Sequence, residues 1–181
     1  NYFSPGVGSQ DPRTGRISRY AWGGDYHDFL SRRLDDLRRE IEREGGRSMS
    51  FVDSGAILEK PWAQQAGLGW QGKHSILISR DMGSWLFLGV ILTDLELEPD
   101  APHAADFCGS CTRCIDRCPT KAIVEPRVVD ARRCLSYLTI ENRGAIPREI
   151  RPLLGNGVFG CDLCQEACPW NRFAKAAPER E

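Results

Sequence analysis

Eight cysteines carry the strongest chemical signal in this sequence, and all of them lie between Cys108 and Cys168. The first run, Cys108-Gly-Ser-Cys111-Thr-Arg-Cys114-Ile-Asp-Arg-Cys118-Pro119, is spaced C-x2-C-x2-C-x3-C-P. The second, Cys161-Asp-Leu-Cys164-Gln-Glu-Ala-Cys168-Pro169, is spaced C-x2-C-x3-C-P, with Cys134 alone upstream. A C-x2-C-x2-C loop can wrap three corners of a [4Fe–4S] cube, because each thiolate must reach a different iron. The fourth cysteine of such a run points away and ligates the other cluster. That rule assigns Cys108, Cys111, Cys114 and Cys168 to one cluster and Cys118, Cys134, Cys161 and Cys164 to a second. Disulfides and zinc are the rival readings. Three cysteines at two-residue intervals are poorly placed to pair with one another. Zinc sites prefer paired C-x2-C knuckles and need neither the third cysteine nor the Cys-Pro ending. Oxygen-sensitive, thiolate-bound clusters favour a reducing compartment, so a cytoplasmic protein is expected.

The elements that must position these thiols divide into a cysteine-free front and a cysteine-dense back. The chain has 181 residues, 41% hydrophobic and 27% charged, which fits one or two folded domains. Its longest apolar run, 85–92, is far too short to span a bilayer. The formal charge of −1 excludes a globally basic nucleic-acid binder, though not a local basic face. Residues 1–24 read as irregular. A helix is expected over 25–44, where Phe29, Leu30, Leu34, Leu37 and Ile41 recur at spacings of three and four. Asp25 can cap its start, and Gly45-Gly46 stops it. A short strand is expected over 48–52 and a second helix over 57–66, ended by the glycine-rich turn 67–72. The runs 75–79 and 85–93 look like buried strands. An acidic segment, 96–106, reads as a linker, and from Cys108 on short helices and turns alternate with cysteines. The expected division is 1–106 for the front domain, 107–173 for the cluster module and 174–181 for a further linker. The start at Asn1 without a methionine and the linker-like end suggest a piece of a longer protein.

The front half resembles the epoxyqueuosine reductase family. The resemblance rests on Gly15-Arg-Ile-Ser-Arg-Tyr20-Ala-Trp-Gly-Gly-Asp25-Tyr-His27, Phe51-Val-Asp53-Ser-Gly-Ala-Ile-Leu-Glu59-Lys and Ala66-Gly-Leu-Gly-Trp70-Gln-Gly-Lys73-His74-Ser. It continues through Gly83-Ser-Trp85-Leu-Phe-Leu-Gly, the first cysteine run, Asp130-Ala-Arg-Arg-Cys134-Leu-Ser-Tyr-Leu-Thr-Ile-Glu141 and Gly160-Cys-Asp162-Leu-Cys. Any one block would be weak; the blocks in this order are specific. The resemblance implies an α+β fold, with a nitroreductase-like α/β cobalamin-binding domain followed by a bacterial ferredoxin-like module holding two [4Fe–4S] clusters. It implies reduction of epoxyqueuosine to queuosine at the wobble position of tRNA, with cobalamin, an external low-potential electron donor and no membrane. A monomer is expected. A cobalamin-dependent reductive dehalogenase and a bare two-cluster electron carrier are the competing functions.

The same resemblance implies that Asp53 is the proton donor and a cofactor contact. To donate near neutral pH its carboxyl must be desolvated or placed near another negative charge, and its strand-end position is compatible with partial burial. The plainer reading makes Asp53 or Ser54 the cap of the helix beginning near Ile57. The block reads Ser54-Gly55-Ala56 where a proline would be expected nearby, but small residues keep the turn tight. Lys73, His74 and Ser75 follow a glycine-rich turn whose backbone could approach a macrocycle, and its spacing does not match a P-loop. Ser136, Asp162 and Leu163, beside cluster cysteines, are further candidate cobalamin contacts, with turn chemistry as the plain alternative. His27 and His74 could ligate cobalt, although a lone histidine is more often a hydrogen-bonding residue, and the resemblance implies no histidine on cobalt. Twenty of the 24 basic residues are arginine. Arg13, Arg16 and Arg19 near the front, and Arg132, Arg133 and Arg143 around Cys134, suit phosphate and suggest a patchy RNA-binding surface.

Overall fold

A computed structural model describes residues 1–6, 11 and 13–177. The last four residues of the expected terminal linker lie outside that set. The fold is α+β. The expected first helix is present as α1 (Tyr26–Arg43), with the Asp25 carboxylate accepting from the His27 N–H at its start. Its apolar stripe is narrower than the periodicity suggests. Leu34 is buried, but Phe29 and Leu37 are exposed; the helix packs on the two-stranded ribbon of β2 (Ser48–Phe51) and β5 (Val90–Thr93).

That ribbon corrects the reading of 85–93 as one buried strand. Only its last four residues pair, antiparallel to β2. The paired side chains of Met49 and Leu92 face solvent, while Trp85, outside the strand, is 2% exposed. The second helix, α2 (Glu59–Gln65), starts two residues later than expected. The glycine-rich turn contains a short strand, β3 (Trp70–Gln71), which pairs with β4 (Leu77–Ile78). Strand β4 is shorter than the expected 75–79, because Ser75 closes a turn onto Gly72 in the left-handed region at φ 68°. Gly69 is required where β3 begins. Its φ is +155°, and a Cβ there would lie 2.1 Å from the Ile78 carbonyl oxygen.

The cysteine-rich half strings α3 (Arg113–Arg117), a hairpin of β6 (Ile123–Glu125) and β7 (Val128–Val129), α4 (Leu135–Ile140) and α5 (Leu163–Glu166). Helices α3 and α5 pack together. The two halves share a sheet: β1 (Arg16–Ile17) runs parallel to β8 (Gly157–Phe159). The acidic segment 96–106 has no regular structure but is tied down. The His103 N–H donates to the Gln64 carbonyl at 2.9 Å, and its ring stacks on Trp70. No helix among the described residues is long and apolar enough to cross a membrane.

Candidate metal centres and active site

The cysteines of the first expected quartet line one cavity, and those of the second stand at the ends of α3, α4 and α5. In the first, the Cys111 N–H donates to the Cys108 carbonyl at 3.0 Å, and Gly109 turns through φ 47°. Cys114 lies on α3, and Cys168 follows α5. The four line one cavity of about 220 Å³. Burial pushes the Cys168 thiol up to about 11, reinforced by Cys108, Cys114 and Cys111. In the second, Cys118 ends α3, Cys134 precedes α4, and Cys161 and Cys164 flank the start of α5. Burial raises the Cys161 thiol to about 11, with Cys134 and Cys118 among the charges that face it. Cys164 is raised further by burial, then by Cys161, Cys134, Cys114 and Cys118. Burial opposes ionisation of Cys118 too, but hydrogen bonds from Thr120, Ala122 and Ile123 outweigh it and lower that thiol.

The residues fit a pair of cubes. All eight cysteines are free. Among the described residues, no three His, Cys, Asp or Glu side chains close on one point as a single zinc ion requires. Thiols spread around a cavity suit a cluster, whose ligands attach to four separate irons.

The candidate cofactor contacts fall in two places. Lys73 and His74 line the cavity of the first quartet. The Lys73 ammonium donates to the carbonyls of Gly109 and Cys111 at 2.7 and 2.9 Å, clamping the ligand loop. The Ser75 hydroxyl donates to the Arg127 carbonyl at 2.9 Å, which ties this turn to the β6–β7 hairpin. Asp162 and Leu163 instead line a shallow cleft beside the second quartet, with Ser18, Leu135, Gly160 and Cys161. Ser136 is the neighbour of Leu135 on α4. The cleft holds about 50 Å³, too little to enclose a corrin.

Asp53 sits just beyond the end of β2 at φ 56° and is exposed, not partly buried as expected. Its position follows from the residues around it. The Tyr26 hydroxyl donates to Oδ2 at 2.6 Å, and the Asp53 N–H donates to the Glu59 carboxylate at 3.0 Å. The capping alternative fails: Leu58 stands at the cap of α2, and no side chain bonds there. Gly55 supplies the tight turn, since a Cβ would fall 2.4 Å from the Phe51 ring. Tyr26 is stacked on Phe87 at 4.2 Å. Burial and its bond to Asp53 push the Tyr26 phenol well above the usual range. Tyr20 is raised by burial and then by Glu141, Asp53 and Asp162; its ring meets Tyr26 edge-on at 6.1 Å and Phe159 at 6.1 Å. His27 is half-buried, its Nδ1 2.8 Å from the Asp25 carboxylate.

Arg19 is not available to phosphate. It is 8% exposed, its guanidinium bonds Asp162 at 3.3 Å and Glu166 at 2.7 Å, and it lies over the rings of Trp22 and Trp85. Arg16 pairs with Glu166, Arg13 with Asp11 and Arg132 with Asp130. Arg133 and Arg143 are exposed. Sequence reasoning missed the roles of Tyr26 and Arg19, although both stand inside the quoted blocks. It also missed Asn171 and Gln165, which hold the Gly83–Ser84 turn: the Ser84 N–H donates to Asn171 Oδ1 at 2.6 Å, and Gln165 Nε2 donates to the Ser84 carbonyl at 2.9 Å.

Comparison with known proteins agrees with this arrangement. Residues 107–171 match the model of a 4Fe-4S double cluster binding domain, and residues 1–54 match that of epoxyqueuosine reductase QueG, DUF1730. The epoxyqueuosine reductase of Synechocystis is 54% identical over 97% of this chain and 62% of its own length. A crystal structure of epoxyqueuosine reductase with an epoxyqueuosine-modified tRNA-Tyr stem loop superposes with a TM-score of 0.85 at 40% identity, over 88% of this chain and 42% of that one. A Bacillus subtilis epoxyqueuosine reductase, solved with its catalytic aspartate loop swung out of the active site, gives 0.83 at 40% identity over the same shares. A reductive dehalogenase at 22% identity and a TM-score of 0.54 shares the fold alone. The chain spans about half of the curated relatives it matches, 62% of one and 45% of another. Family models, sequence identity and overall fold coincide in one group of proteins: the chain belongs to the epoxyqueuosine reductase family.

Proposed function

We propose that this chain supplies the electron relay and the proton donor for reducing epoxyqueuosine to queuosine in tRNA. It would act in the cytoplasm as a monomer fed by an external low-potential donor. Removing an epoxide oxygen as water consumes two electrons and two protons. When bound, the clusters supply low-potential electrons and cobalamin supplies a reactive cobalt, since cofactors carry the hard chemistry. The residues that would face the corrin are those around the shallow cleft, Asp162, Leu163 and the neighbouring Ser136, with Asp53 across Tyr20. Lys73, His74 and Ser75 serve the first cluster's side.

The observation that supports this reading is a chain of contacts from Asp53 toward the second cluster loop: Tyr26 bonds Asp53 and meets the Tyr20 ring at 6.1 Å, and Tyr20 meets Phe159, two residues before Cys161, at 6.1 Å. With Tyr26 donating to Oδ2, Oδ1 is the oxygen left to hold and deliver a proton. The bond also fixes the carboxyl's direction, so delivery needs little reorganisation. Exposure on a turn suits a group that desolvates only when a large partner covers it. The swung-out aspartate loop of the Bacillus subtilis relative supports a turn of this kind.

The test is Asp53→Ala in protein loaded anaerobically with iron, sulfide and cobalamin. Iron and cobalt contents should stay near those of the parent while turnover of epoxyqueuosine-tRNA is lost. Unchanged turnover removes Asp53 from the reaction. Chloride release from organohalides would move the assignment to dehalogenation, and a visible spectrum without corrin bands would reduce it to electron carriage.

A further inference from the structure

We propose that His74 is a hydrogen-bond donor to the first cluster and sets its reduction potential. The inference rests on that quartet holding a cluster. His74 is 4% exposed and lines the same cavity as Cys108, Cys111, Cys114 and Cys168. Its Nδ1 accepts the Ile76 N–H at 3.2 Å, so the ring proton resides on Nε2. That Nε2 is buried and has no hydrogen-bond partner within the protein. A buried donor left unpaired is costly, and the ring that carries it lines the cavity around which the four thiols stand. The ring cannot easily turn away. Gly72 packs against it so closely that a Cβ there would stand 3.0 Å from Cε1. Lys73, the preceding residue, is anchored to the carbonyls of Gly109 and Cys111, and this holds the turn against the ligand loop.

An N–H aimed at a cluster sulfur stabilises the reduced, more negative state more than the oxidised one. Hydrogen bonds to the sulfurs are among the terms that set the potential of such clusters. His74 therefore raises the potential of the first cluster relative to the same cluster without it, making it the better acceptor from an external donor. The second quartet has no part in the cavity His74 lines, so the two clusters are tuned separately.

The experiment is an EPR-monitored redox titration of the anaerobically loaded protein and of its His74→Leu and His74→Gln variants, with iron counted in each. Loss of the donor should shift the first cluster's reduction equilibrium roughly tenfold toward the oxidised form, ~59 mV for one electron. The second cluster should keep its potential, and the amide of His74→Gln should restore part of the shift. An unchanged first potential with iron retained overturns the proposal, and so does an equal shift of both clusters. Where His74→Leu fails to load iron, the parent protein decides. With 15N-histidine incorporated, pulsed EPR of the reduced first cluster should show a nitrogen coupling and a deuterium-exchangeable proton. Absence of both refutes the hydrogen bond. Iron content reports whether the cluster is held at all, so failure of the tuning and failure of the cluster assignment are read separately.

Discussion

Arg19→Met tests how the front half is fastened to the cluster module. The substitution keeps a stem between Trp22 and Trp85 but removes a guanidinium that bonds Asp162 and Glu166, with side-chain exposures of 8% for Arg19, 5% for Asp162 and 25% for Glu166. Taking one partner from a buried ion pair costs ~3–5 kcal/mol, mostly through the charge left behind. Asp162 would keep its bonds from the Ser18 hydroxyl and the residue-19 N–H, and partly exposed Glu166 can recover water, so the lower end, ~3 kcal/mol, is expected. With a urea dependence of ~2 kcal/mol per molar, the midpoint should fall by ~1.5 M. The assay is urea unfolding of the iron-loaded protein, followed by cluster absorbance. Adding Asp162→Asn removes the stranded charge while leaving an oxygen for the residue-19 N–H, so the double variant should regain at least ~1 kcal/mol. A midpoint shift under ~0.3 M for Arg19→Met, or a double variant no better than the single, refutes the reasoning.

Four further outcomes follow from the same geometry. Tyr26→Phe removes the bond that aims Asp53 and should lower kcat by roughly tenfold, ~1.4 kcal/mol, with iron content unchanged, as single-turnover assay on modified tRNA will show. Lys73→Met frees the Cys108–Cys111 loop from its clamp and should lose the first cluster selectively, so iron falls by about half while the second cluster's EPR signal persists. Cys134→Ala should remove the other half, and no loss of iron would contradict the crossed ligation. Burial holds the His74 imidazole at about 4, below its ordinary 6.5. The unfolded chain therefore takes up a proton as pH falls through 6.5 while the fold does not until about 4. Stability from this group is present above 6.5 and lost toward 4, and thermal melting should show a smaller acid decline in His74→Leu.

The first group of cysteines was legible in the sequence because it is mostly local: Cys108, Cys111 and Cys114 come from one seven-residue stretch and line one cavity with Cys168, whereas the second expected group draws on Cys118, Cys134 and the Cys161–Cys164 pair, far apart in the chain. Helix α1 was legible for a similar reason, since its cap and its period are both written in adjacent residues. The run 85–93 was not. A continuous apolar stretch does not say whether it is one strand or a buried turn followed by a short edge ribbon, and here Trp85 packs in the turn while Leu92 faces water. Arg19 was misread because residue type suggests phosphate, whereas its partners lie more than 140 residues away. Lys73 and His74 show the same difficulty from the other side: their chemistry was visible, but which cavity they serve depends on how the front turn docks against the ligand loop.

That docking decides what holds the candidate proton donor near the relay. A flexible connection through 96–106 would leave Asp53 free to drift from the second quartet. The ties instead bypass that segment. Strand β1 pairs with β8 just ahead of Cys161, Arg19 and Ser18 grip Asp162 between Cys161 and Cys164, and Ser84 is held by Asn171, three residues past Cys168. Lys73 reaches the Cys108–Cys111 loop. Each tie lands within a few residues of a cluster ligand. The distance from Asp53 to the clusters is thus set by the same bonds that shape the ligand loops, and loosening any one of them should disturb cluster retention before it disturbs the front half's own ribbon and helices.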